Sequence, residues 1–79
     1  MTIEQLRHYH REQPFKPFDI HLADGRRVSV EHPEMLAISP SGRTIAVGMP
    51  DDTIQTIDLL LVTSLKPHPN GSSRRPRRK

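Results

Sequence analysis

The apolar positions of this chain fall into short segments with two different periods. Ile3, Leu6 and either Tyr9 or His10 recur at helical spacing. Thr2, with Gln5 three residues on, has the form of an N-cap and its capping-box partner. Glu4 in the first turn and Arg11 near the last suit the helix dipole. Pro14 and Pro17 force extended backbone before them, so the pattern predicts a helix over residues 3–12. Its apolar stripe is narrow, which suits a helix laid across a sheet.

From Phe18 the period becomes two. Phe18, Ile20 and Leu22 alternate with Asp19, His21 and Ala23, as in a strand with one buried face. Asp24-Gly25 signals a turn, and Val28 and Val30 resume the alternation beyond it. Register decides the turn, because directly paired residues share a face. A two-residue loop would set Ile20 against Ser29. A three-residue loop, Ala23-Asp24-Gly25, pairs Ile20 with Val28 and Phe18 with Val30, with Gly25 as the left-handed residue. His32-Pro33-Glu34 then interrupts the extended chain. Leu36 and Ile38 face Val47 and Ile45 across the turn Ser39-Pro40-Ser41-Gly42, and Met49 continues the second strand. After Pro50-Asp51-Asp52, Thr53 to Ile57 has strand character with a slipped parity: Ile54 and Ile57 share a face only across a bulge or break. Ile57 to Leu65 is the longest apolar run, and the earlier elements need it to pack against. Asp58 to Val62 is too short for a helix and reads as one tight 3₁₀ turn before a closing strand, Thr63–Lys66.

The expected fold is mainly β, α+β by count. An N-terminal helix precedes a small antiparallel barrel of the SH3 or Sm type, or a bent meander, of four to five strands. Closure into a barrel would remove the exposed edges. Residues 1–66 form one small globular domain. Residues 67–79 are rich in Pro, Gly, Ser and Arg, with nothing to bury, and are expected to be disordered.

Composition narrows the function classes. A chain of 79 residues buries only about 60% of its unfolded surface and is marginal without help from a disulfide, a metal or a partner. Cysteine is absent, which removes disulfides, thiolate metal sites and thiol nucleophiles. No apolar stretch approaches the roughly 20 residues of a membrane helix, and residues 1–11 lack a secretory apolar core, so a cytoplasmic location is expected. The net charge of +3 is unevenly placed. Residues 1–66 carry seven Lys/Arg against nine Asp/Glu, a balance of −2. The basic excess lies in Arg74, Arg75, Arg77, Arg78 and Lys79.

Two resemblances add to this reading. Leu22-Ala23-Asp24-Gly25-Arg26-Arg27-Val28 resembles the first half of an Sm motif, and Ile57 through Leu65 is similar in layout to the last two strands of the bacterial Sm-like RNA chaperone. Val30 stands where that motif has a glycine, and Asp58-Leu59-Leu60 does not match its basic second turn, so no RNA-binding residue carries over. At whole-chain level, His21-Leu22-Ala23-Asp24-Gly25-Arg26, His32-Pro33-Glu34, Ser39-Pro40-Ser41-Gly42-Arg43-Thr44 and Ile57 through Leu65 resemble a family of short uncharacterised bacterial proteins. That likeness covers residues 2–65 and implies no activity, cofactor or ligand.

Candidate chemistry is sparse. His8 and His10 stand two apart on the helix and point away from each other, His21 projects from the outer face of its strand, and His68 lies in the tail, so no zinc-type ligand set converges. His32 and Glu34 flank Pro33, with Asp19 or Glu31 as potential neighbours. A general acid–base pair needs a cleft, and two Phe and one Tyr give little to wall one. Arg26, Arg27 and Arg43 sit at or beside hairpin turns; a small basic rim with Lys16 is one reading, and charges that keep strand edges soluble are the preferred one. The five cations of residues 74–79 suit nonspecific phosphate contacts, without an aromatic to stack a base. Leu59, Leu60, Leu61 and Val62 are the candidates for self-association. The expectation is a non-enzymatic interaction module without cofactor or small-molecule substrate, binding a protein partner or itself. The alternative is a nucleic-acid-associated protein anchored by its basic tail.

Overall fold

The two hairpins set the frame. Strand β1 (Phe18–Leu22) pairs antiparallel with β2 (Arg27–Val30), with Ile20 opposite Val28 and Phe18 opposite Val30. The Leu22 amide bonds to the Arg26 carbonyl and the Gly25 amide to the Leu22 carbonyl, leaving a three-residue loop with Gly25 at φ 92°. Strand β3 (Leu36–Ile38) pairs with β4 (Thr44–Gly48) with Leu36 opposite Val47 and Ile38 opposite Ile45. Both registers are those the side-chain alternation dictates. The computed structural model describes residues 2–68.

Helix α1 (Ile3–Arg11) opens on Thr2, whose hydroxyl accepts from the Gln5 amide while the Gln5 side chain accepts from the Thr2 amide. It ends one residue earlier than its pattern, with Glu12 as an extended cap. Leu6 is its buried residue; Ile3 and Tyr9 flank it against the core.

Strand β5 (Ile54–Asp58) follows β4 as the third strand of a meander, and β6 (Val62–Pro67) returns to pair with β1. The result is six strands, not four to five, in two three-stranded sheets ordered β2-β1-β6 and β3-β4-β5. The sheets do not close into a barrel. A 3₁₀ turn at Pro33–Met35 separates β2 from β3, and another at Leu59–Leu61 separates β5 from β6. Each turn takes the chain from one sheet to the other.

The core lies between the sheets. Phe18, Ile20, Leu22, Val28 and Val30 of the first sheet meet Leu36, Ile45, Val47 and Ile57 of the second, with Leu6, Leu59 and Val62 completing the cluster. Tyr9 and Phe15 pack their rings on Phe18, with centroids 5.2 and 6.0 Å away. The parity slip at β5 needs no bulge. The strand is regular, Ile57 faces the core and Ile54 faces out, 71% exposed. Strand β6 runs one residue beyond the expected Lys66, and the His68 amide bonds to the Pro17 carbonyl. Pro67 and His68 therefore belong with the folded part, not with the tail. The rest of the expected tail, with Arg74, Arg75, Arg77, Arg78 and Lys79, lies outside the described residues. No helix among the described residues is long and apolar enough to cross a membrane.

Candidate functional site: an apolar turn and a buried carboxylate

The Leu59–Leu61 turn is fixed at several points. The Asp58 carboxylate accepts from the Leu60 amide at 2.9 Å, the Leu59 amide bonds to the Arg43 carbonyl, and the Leu61 carbonyl accepts from the Ala23 amide. A 3₁₀ turn advances each residue by a third of a revolution, so three consecutive leucines cannot face the same way. Leu59 and, at the start of β6, Val62 enter the core; Leu60 and Leu61 stand 86% and 48% exposed. The four residues expected to associate thus divide. Leu59 and Val62 are spent on the fold, and Leu60 and Leu61 are presented by a rigid turn.

Among the described residues the buried charged side chain is Asp19, which is 2% exposed. Its Oδ1 accepts from the Ser29 hydroxyl at 2.7 Å and lies 2.8 Å from His68 Nδ1; its Oδ2 lies 3.9 Å from Arg27 Nε. Asp19 sits on the polar phase of its strand, yet β1 is the central strand of its sheet and these side chains cover that face. A nucleophilic triad needs the imidazole between hydroxyl and carboxylate, so that the ring takes the hydroxyl proton. Here the carboxylate stands between the other two. The hydroxyl donates to Asp19 and not to a base that could activate it. The arrangement satisfies a buried carboxylate. The hairpin register placed Ser29 opposite Asp19 and so held the signal for half of this cluster. His68, 49 residues away and read as tail, had none.

The other candidates are dispersed. His32 and Glu34 are both exposed, and Asp19 is committed to Ser29 and His68. Pro33 opens the 3₁₀ turn as expected of a corner residue. His8 is exposed, and His10 Nε2 lies 2.8 Å from the Pro33 carbonyl oxygen. Among the described residues no three His, Asp or Glu side chains are grouped to hold a metal ion. The cations at the turns do not form a rim. Arg26 pairs with Asp24 at 2.7 Å, Arg27 faces Asp19, and Lys16 lies 3.9 Å from Glu12. The Arg26 amide and guanidinium hold the Asp24 carboxyl below the usual aspartate range, and the Thr53 hydroxyl and amide do the same to Asp51.

Comparison with family models, with curated proteins and with solved structures found no match for this chain.

Proposed function

We propose that this protein is a non-enzymatic interaction module that associates with a second copy of itself through the Leu60–Leu61 turn. One observation carries the reading: two adjacent leucines are exposed on a turn whose backbone is held by Asp58, Arg43 and Ala23. Scattered exposed apolar side chains are ordinary, but an adjacent pair on a fixed support loses little conformational freedom when covered. The position of Asp19 between Ser29 and His68 favours a binding protein over a hydrolase. Sedimentation of the full-length chain across micromolar concentrations tests the reading. The mass is expected to rise toward that of a dimer, and Leu60→Ser with Leu61→Ser is expected to return it to one chain. A single-chain mass at every concentration would overturn self-association.

The basic composition of residues 74–79 favours a second reading, nonspecific association with nucleic acid. Replacing those five cations by serine in the full chain should abolish binding to RNA and duplex DNA in fluorescence anisotropy. The wild-type affinity should fall steeply with salt. Binding that survives the replacement would place the contact on the folded part.

A further inference from the structure

A groove of about 650 Å³ runs between α1 and the edge strand β3. The helix is held at both ends of the strand and open between. At its start, a Cβ built on Gly42, in the turn after β3, would lie 3.3 Å from Ile3 Cγ1, so helix and turn are in close contact there. Toward its end, His10 meets the Pro33 carbonyl in the 3₁₀ turn before β3. The helix therefore runs antiparallel to β3 and forms one wall of the groove, with the bare edge of the strand as the other.

That edge has a definite polarity. The Ser39 amide bonds to the Thr44 carbonyl, and antiparallel bonding alternates along the ladder, so Ala37 bonds to Ala46. Leu36 and Ile38 then turn their backbone groups to the open side. The Leu36 amide is used by the Pro33 carbonyl. What remains on the groove is the Leu36 carbonyl and both the amide and the carbonyl of Ile38. An extended peptide can meet these groups as an added strand.

The helix wall is cationic. Arg7 and Arg11 line the groove, and no Asp or Glu does. Among the described residues neither arginine forms an ion pair, and the buried Arg7 Nε has no hydrogen-bond partner. Glu4 and Glu12 stand beside the same arginines on the neighbouring side of the helix, away from β3. Two arginine side chains without ion-pair partners beside a free strand edge are suited to hold carboxylates.

We infer that the groove between α1 and β3 binds an extended acidic peptide, which adds as a strand to β3 and places its carboxylates on Arg7 and Arg11. The segment 74–79 of this chain carries the wrong charge to be that occupant. A nucleic-acid phosphate would match the arginines but would offer no donors in series to the Leu36 and Ile38 carbonyls. The inference rests on the interaction-module reading and extends it to a second surface that does not use Leu60 or Leu61.

The test is a titration of ¹⁵N-labelled full-length protein with a blocked peptide alternating glutamate and valine. Alongside it run the lysine counterpart, the same acidic peptide N-methylated along one edge, and an oligothymidylate. The acidic peptide is expected to shift the Ile38 amide and the Arg7 and Arg11 side-chain resonances. N-methylation should weaken it about threefold to tenfold for a lost backbone bond. Arg11 is exposed, so Arg11→Gln should keep the fold while weakening the peptide severalfold. Leu60→Ser with Leu61→Ser should bind the peptide normally even if it no longer dimerises, which separates this inference from the proposed self-association. No binding, shifts confined to residues 69–79, equal binding of the lysine peptide, indifference to N-methylation, or preference for the oligothymidylate at the Arg7 and Arg11 resonances would each overturn it.

Discussion

Replacing Asp19 by alanine leaves the Ser29 hydroxyl and the His68 ring without the oxygen they share. The loss is expected to be about 1–3 kcal/mol, read from the midpoint of urea unfolding, because buried polar partners are left unmet. His68→Ala should cost less, since the carboxylate keeps Ser29 and Arg27. At Gly25 the cost is conformational alone. The residue has φ 92° and open space around its Cβ position, so Gly25→Ala should destabilise by about 1–2 kcal/mol without a packing change. Asp24 and Asp51 have carboxyls lowered in the folded state, so the sign of their linkage is fixed. Their contribution is present above the unfolded aspartate value and is lost as pH falls through the lowered folded values. Both side chains are exposed, and screening keeps the effect small. At this scale the chain was readable wherever a partner lay nearby in sequence: Thr2 with Gln5, Gly25 in its loop. Asp19 with His68 was not, because no periodicity links residues that far apart.

At the scale of elements, strand alternation contains more than the identity of each segment. It fixed the register of both hairpins, since a slip by one residue would turn Val28 or Val47 out of the core. It also left an apparent conflict at Ile54 and Ile57, which β5 resolves by leaving Ile54 in solvent. Ile57→Ala should therefore cost about 2–5 kcal/mol in thermal or urea unfolding, while Ile54→Ala should stay within about 0.5 kcal/mol of wild type. Comparable losses at the two sites would mean that Ile54 is covered in solution. The Leu59–Leu61 turn was legible as a tight turn because its apolar run is too short for a helix. Which leucines face out follows from the third of a revolution each residue adds, and the sequence pattern alone does not give the phase of that rotation.

For the whole molecule, closure was the feature the chain could not specify locally. A barrel and a pair of open sheets share the same hairpins. They differ in whether a ladder joins the edges of the two sheets, and here none does among the described residues. Open sheets leave four edge strands, so association has direct consequences for stability. If Leu60 and Leu61 are covered by a second copy, the thermal midpoint of the wild type should rise with protein concentration, and that of Leu60→Ser with Leu61→Ser should not. The pairing of β6 with β1 has a further consequence for the folding chain. Strand β1 receives β2 almost at once, but Leu22 must wait for Val62 before its other edge is matched, and Asp19 must wait for His68. The meander β3-β4-β5 closes through short turns, whereas the first sheet needs the long-range pairing of β1 with β6. Local closure is therefore expected to form the second sheet ahead of the first, although it lies after the first hairpin in the chain. Pulsed hydrogen exchange should find the β4 amides protected before the β1 amides that face β6.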